Sequence, residues 1–409
     1  MKPFRILILL ILIVSQLLVI QYARAEAAPP RPERVGNNLA LTPPMGWNTW
    51  NKFACNVSEA LLRQAADAMV TSGMRDAGYE YIVIDDCWQQ GRDKAGNIYA
   101  DPARFPSGMK ALGDYIHSRG LKFGIYSDAG SLTCGKRPGS LGHEYQDAQK
   151  YAEWGVDYLK YDWCSTYDQN AKSSYETMSD ALRATGRPIV LSICEWGLNK
   201  PWQWGTNIGN LWRTTDDIYD HWEGKKTFEH GVMDILDLQV GLESFSGPGH
   251  WNDPDMLEVG NGKMSNEEYR SHFSLWAILA APLMAGNDLS AMTEQTRAIL
   301  TNREVIAIDQ DALGIQAKRV AKHVGDEVWA RPLQGGGRAV VLLNRSETAH
   351  SVTVSWDMLN LPDQLDMQLR DVWLAKNLPA ARSSYTAMVP SHGVVMLRLD
   401  YRPMQGAEK

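Results

Sequence analysis

The feature that most constrains the fold is a repeated beat of helix, glycine and short apolar strand. Leu61, Leu62, Ala65, Ala66, Met69 and Val70 have the spacing of one helix face; Gly78 follows, then the apolar run at 81–85. The beat returns with Met109, Leu112 and Ile116, then Gly120, then 122–126. It returns again with Tyr145, Ala148 and Ala152 before Gly155 and 158–162, and with Tyr175, Met178 and Leu182 before Gly186 and 189–194. Four such units in succession predict a parallel sheet with crossover helices. Short runs at 45–47, 211–215, 251–256 and 278–284 bring the strands to eight over about 270 residues, the size of a (β/α)8 TIM barrel. A doubly wound sheet would want a glycine-rich phosphate loop after the first strand, and none is there. Beyond Gln310 and Asp311 the helical spacing stops and short alternating runs begin, with Gly335-Gly336-Gly337 as a turn. The predicted organisation is a barrel over 39–312, an antiparallel β-sandwich domain over 313–402, and a tail over 403–409.

The chain of 409 residues opens on a different pattern. Lys2 and Arg5, an apolar run over 6–20 and the small-x-small site Ala23-Arg24-Ala25 read as a signal peptide over 1–25, cleaved after Ala25. That predicts a secreted or periplasmic protein. The apolar run is short for a membrane span and is broken by Ser15 and Gln16. Residues 26–38, with Pro29, Pro30 and Pro32, read as an extended lead-in. Losing Lys2, Arg5 and Arg24 with the signal takes the net charge from −7 to −10, which argues against nucleic acid or an anionic membrane as partner and suits a neutral small molecule or polysaccharide.

In such a barrel the site lies at the C-terminal ends of the strands. These ends deliver Trp47 and Trp50; Asp85, Asp86 and Trp88; Tyr126 and Asp128; Lys160 and Asp162; Cys194, Glu195 and Trp196; Arg213, Asp216 and Asp217; and Asp253, Asp255 and Met256. Many carboxylates and indoles around one pocket suit a glycosidase, which needs two carboxyl groups astride the scissile bond. Asp253 and Asp255 also read as loop caps. Lys160 stands two residues before Asp162, on the same face of the strand, and is expected to keep that acid ionised. With no CxxC, no HExxH and no His pair at a metal spacing, neither a metal nor a cofactor is expected. Cys55 and Cys87 follow the first two strands, and Cys134 and Cys164 the next two. Each pair would staple neighbouring loops of the active face and leave Cys194 as a small buried residue.

These stretches resemble glycoside hydrolase family 27, the α-galactosidases or melibiases. The resemblance is carried, in family order, by 42–51 (TPPMGWNTWN), 84–88 (IDDCW), 124–128 (GIYSD), 158–162 (YLKYD), 194–197 (CEWG), 212–217 (WRTTDD) and 251–257 (WNDPDML). It implies a retaining mechanism with Asp162 as nucleophile and Asp217 as acid/base. It implies that Asp85 and Asp86 hold O4 and O6, that Lys160 reaches O3 and O4, and that Arg213 lies near O2. Trp50 would pack on the sugar face, Glu195 would accept from O2, and Trp196 and Met256 would be pocket walls; Tyr126 and Asp255 complete the expected substrate-binding set. Asp216 stands where relatives often carry Gly or Ala, but the four-residue spacing from Arg213 favours Asp217 as the acid/base. The substrate implied is an α-galactoside, an oligosaccharide or a galactomannan branch. A β-L-arabinopyranosidase of the same family and a non-catalytic galactoside-binding protein are the alternatives. Oligomeric state is not legible.

Overall fold

A computed structural model describes residues 36–401. The signal-peptide reading, residues 26–35 of the lead-in and the tail lie outside the described residues.

The barrel alternates strands and helices: β1 (Met45–Asn48), α1 (Glu59–Thr71), β2 (Tyr81–Val83), α2 (Gly108–Ser118), β3 (Lys122–Asp128), α3 (Glu144–Glu153), β4 (Tyr158–Asp162), α4 (Ala171–Ala184) and β5 (Val190–Cys194). It continues with β6 (Leu211–Arg213), α5 (Val232–Leu238), β7 (Trp251–Asp253), α6 (Asn266–Ile278), β8 (Leu283–Ala285), α7 (Glu294–Leu300) and α8 (Arg303–Asp309). The eight strands are parallel, in the order β7-β6-β5-β4-β3-β2-β1-β8. The two ends of that order meet not through β7 itself but through Leu257, beyond it, which forms a single parallel bridge to Ala285. Leu257 N–H donates to the Met284 carbonyl at 2.8 Å, and Gly286 N–H to the Leu257 carbonyl at 3.1 Å.

Side-chain alternation along the strands separates two cores. Tyr81, Val83, Tyr158, Val190, Leu211, Trp251 and Met284 fill the middle of the barrel. Ile82, Leu159, Tyr161, Leu191 and Ile193 point outward to the helices. Gly46 on β1 has no alternative: a Cβ there would lie 2.6 Å from the Tyr81 carbonyl oxygen.

The expected eighth strand at 278–284 is displaced. Ile278 ends α6, and the strand starts at Leu283. Helix α6 escapes a periodicity reading because it is covered on nearly every side: Tyr269 and all residues from Ser271 to Ile278 are buried. Its start is legible only as a capping box, in which Ser265 Oγ accepts from Glu268 N–H and the Glu268 carboxylate accepts from Ser265 N–H.

Eight further strands follow: β9 (Lys318–His323), β10 (Asp326–Pro332), β11 (Arg338–Asn344), β12 (His350–Ser355), β13 (Asp366–Asp371), β14 (Lys376–Arg382), β15 (Ser384–Val389) and β16 (Val394–Tyr401). Six form one sheet, β9-β10-β11-β16-β13-β14, and β12 pairs with β15 in a second. Val328, Val340, Leu342, Val354, Trp356 and Leu397 lie in the core between the sheets. The opposite face of the larger sheet, with Trp329, Val341, Leu343 and Met396, shares a continuous core with Phe273 and Trp276 of α6. Ser271 Oγ donates to the His392 carbonyl at 2.7 Å and Trp373 Nε1 to Ser274 Oγ at 2.9 Å, so α6 is roofed by the sandwich.

Candidate active site

The loops after the first four strands are stapled as their positions predict. Disulfides join Cys55 to Cys87 and Cys134 to Cys164, and Cys194 is a buried free thiol. The turns after β1, β2, β5 and β7 also carry strain that the sequence does not announce. Ala54, Cys87, Trp196 and Asp255 have φ of 44°, 75°, 57° and 79°. A non-glycine residue held there costs roughly 1–3 kcal/mol and persists where surrounding contacts over-determine it.

The polar side chains at these strand ends make three sets of contacts. Asp85 Oδ2 accepts from Asn48 Nδ2 at 2.8 Å and from Lys160 Nζ at 2.9 Å. Asp85 Oδ1 accepts from Asp86 N–H at 2.8 Å, and Asp85 N–H donates to Thr49 Oγ1 at 3.0 Å. Asp86 accepts from Cys87 N–H and Gly135 N–H, both at 2.6 Å. Gly135 is required there, since a Cβ would lie 2.6 Å from Cys87 Sγ and 2.9 Å from the Asp86 carboxylate. Asp162 Oδ2 accepts from the Tyr126 hydroxyl at 2.8 Å, and Oδ1 accepts from Trp163 N–H at 3.0 Å. Arg213 reaches Asp217 at 3.0 Å and Asp255 at 2.9 Å.

As expected, the Lys160 charge acts to keep Asp162 ionised, but it does not decide that acid's state. The ammonium spends its ion pair on Asp85. Burial pushes the Asp162 carboxyl up to about 7, against the Lys160 charge and the Tyr126 hydroxyl, which hold it down. Asp128, its register partner on β3, is driven further, to about 9, by burial and by the Asp162 charge.

A cavity of ≈ 460 Å³ opens on this face, with Trp50, Lys160, Arg213, Asp217 and Asp255 among its lining residues. Asp85, Asp86, Tyr126 and Asp162 are buried and joined to that wall by hydrogen bonds and charge. Glu195, Trp196 and Met256 do not line it. Glu195 accepts from Asn199 N–H at 2.6 Å and Asn199 Nδ2 at 2.8 Å, its other oxygen has no partner, and burial pushes it up to about 7. Met256 belongs to the mid-barrel core, and Trp196 packs on the barrel's outer core. Asp253 and Asp255 do cap: Asp253 Oδ1 accepts from Asp255 N–H at 2.9 Å, and Asp255 Oδ2 from Ile218 N–H at 2.8 Å. Asp216 turns aside to His230, at 3.3 Å, whereas Asp217 lies on the cavity wall.

Among the described residues, one cluster brings three ligand-type atoms within 4.8 Å of one another: Asp128, Cys134 and Cys164. The two sulfurs are bonded to each other, so neither is a thiolate that could hold an ion.

Comparison with known proteins now adds to this geometry. Residues 42–311 match the family model described as alpha galactosidase A, and 325–399 match the alpha galactosidase C-terminal beta sandwich domain. The chain belongs to the α-galactosidase family of glycoside hydrolases. It is 54% identical over 378 residues to alpha-galactosidase A of Cellvibrio japonicus, covering 89% of this chain and 93% of that protein. The alpha-galactosidase of Cyamopsis tetragonoloba is 48% identical over 382 residues, 93% of this chain and 91% of that protein. The crystal structure of alpha-galactosidase I from Mortierella vinacea superposes with a TM-score of 0.87 at 42% identity, over 89% of this chain and 98% of that one.

Part of the α-galactosidase cavity was not legible beforehand. Asn51, Tyr219, Asp220, Lys226, Glu229, Glu258 and Asn261 also line it. Only Glu258 left a signal, a lone carboxylate inside the apolar run Met256-Leu257-Glu258-Val259.

Proposed function

We propose that the protein is an exported, retaining α-galactosidase that removes terminal non-reducing α-D-galactosyl residues from galacto-oligosaccharides or galactomannan. The observation that carries the reading is the division of labour between two carboxyl groups. Asp162 ends β4 with one oxygen on the Tyr126 hydroxyl, and Asp217 lies on the cavity wall close enough for its charge to act on Asp162. Asp162 attacks the anomeric carbon as Asp217 gives its proton to the departing oxygen, and the C–O bond breaks. Asp217, now a carboxylate, takes a proton from water, which attacks the glycosyl-enzyme and releases Asp162. Two inversions leave the configuration unchanged. Asp85, Asp86 and Lys160 supply acceptors and a donor for the galactose hydroxyls, and Trp50 supplies an apolar face. The two disulfides support action outside a reducing compartment.

The test is turnover of an aryl α-galactoside by the wild type and by Asp162→Gly, with the anomeric form of the first product followed by NMR. The expected result is α-galactose from the wild type and a loss of at least about a thousandfold in the folded variant. β-Galactose as first product, or near-normal turnover without the carboxylate, overturns the mechanism.

A further inference from the structure

We propose that Glu258, oriented by Asn51 and Asn261, is the hydrogen-bond acceptor of a leaving-group subsite that takes the hydroxyls of the sugar departing from galactose. The inference rests on the α-galactosidase reading and adds the half of the substrate that the reading leaves without partners. The residues expected to bind galactose account for Trp50, Lys160, Arg213, Asp217 and Asp255 on the cavity wall. Lys160 and Arg213 are largely or fully buried and mark its deep end. Lys52 and Lys263 are exposed and mark its mouth. Glu258 is held by Asn51, the chain neighbour of Lys52, and by Asn261, two residues before Lys263, which ties it to the mouth side.

The hold is built, not incidental. One Glu258 oxygen accepts from Asn51 Nδ2 and the other from Asn261 Nδ2. Its backbone N–H donates to His272 Nε2 at 3.1 Å. Burial pushes that imidazole down to about 3, so it stays neutral and can accept. Gly286 leaves no room for a side chain, since a Cβ would lie 3.0 Å from the Asn51 Cβ; Asn51 is thereby seated against the seam where Leu257 bridges to Ala285. The carboxylate is 3% exposed, lines the cavity and has no lysine or arginine partner among the described residues.

Two amides occupy half of its acceptor positions, for a carboxylate has about four. Burial pushes the Glu258 carboxyl up to about 7, against the Asn261 and Asn51 amides that hold it down, and a glutamine or a leucine would fill the same volume without that cost. A cavity-facing acceptor with two open positions suits vicinal hydroxyls. Beside it, Asn261 Oδ1 is also buried without a partner, a second acceptor of the same kind.

The experiment compares two substrates that share galactose and differ in what leaves: melibiose, whose aglycone carries sugar hydroxyls, and an aryl α-galactoside, whose aglycone carries none. In Glu258→Ala the fall in kcat/KM on melibiose should exceed the fall on the aryl substrate by at least about tenfold, as for a site that loses a hydrogen-bond partner. Inhibition by free galactose should shift by less than about twofold. Glu258→Gln keeps the volume and should change the melibiose-to-aryl ratio in the same direction by a smaller factor, so it reads the ratio if the alanine variant does not fold. Equal falls on both substrates, no fall on either, or weakened galactose inhibition overturns the subsite while leaving the α-galactosidase reading intact. A wild type that turns over neither substrate overturns that reading and the subsite with it.

Discussion

At Asp162 local packing and charge pull against each other. Its carboxyl rises to about 7 in the folded chain, against a value near 3.9 for an unfolded aspartate. An acid whose folded pKa is raised contributes stability that is full below the unfolded value and lost as pH climbs through the folded one. Asp162→Asn should therefore gain on the wild type between about pH 4 and pH 7, by ~1–3 °C in Tm at the upper end; a difference that stays flat over that interval contradicts the argument. The neighbouring pair of acids makes a sharper case. Asp217→Ala should impair substrates with poor leaving groups far more than activated aryl galactosides, whereas Asp216→Ala, which removes a partner of His230, should not discriminate between them. The reverse pattern in steady-state kinetics would exchange the two roles. Strand-end carboxylates were legible in the sequence because a short apolar run followed by Asp fixes their place in a barrel. The partner of Lys160 was not, because alternation along β4 assigns a face and says nothing of which acid on another strand the side chain reaches. The triplet Asn344-Arg345-Ser346 has the pattern of a glycosylation acceptor and shows the same limit: Asn344 is fully buried, and its amide is spent on the Thr348, Val389 and Pro390 carbonyls, which leaves no site for a glycan.

Helix α6 does the most work of any single element. Its inner face donates Trp276 Nε1 to the Asp255 carbonyl at 2.7 Å and offers His272 to the Glu258 backbone, so it sets the turn after β7 from below. Its N-terminus rests on the Ser265–Glu268 capping box. Ser265→Ala removes one half of that box and should cost about 1 kcal/mol, read as a lower midpoint in denaturant with an unchanged slope; an unchanged midpoint would mean that tertiary packing alone holds the helix end. The helices that were read well, α1 to α4, each have one wet and one dry face, and the strands between them, dry on both faces, stand out as short apolar runs. Those read poorly lack that contrast. Helix α6 is dry all round, and its apolar C-terminal end passes for a strand until the turn at Ala280 breaks it.

At the scale of the whole molecule, the barrel and the sandwich share a core across α6, with Phe273 and Trp276 meeting Trp329, Val341 and Met396. Calorimetry should accordingly show one unfolding transition rather than two. Trp373→Ala loses the indole bond to Ser274 and its edge contact with Phe273 at 6.4 Å, and should lower that single transition by about 2–3 kcal/mol without splitting it. Two resolved transitions in the wild type would show the joint to be weaker than its contacts imply. The boundary visible along the chain near residue 312 is thus no boundary in space. For a gene reshuffled by recombination, a crossover at that point hands α6 a foreign roof, and the disturbance arrives at the turn carrying Asp255 and Glu258. The two halves are best inherited together, and a chimera that trades one sandwich for another must carry the outward residues of α6 along with it.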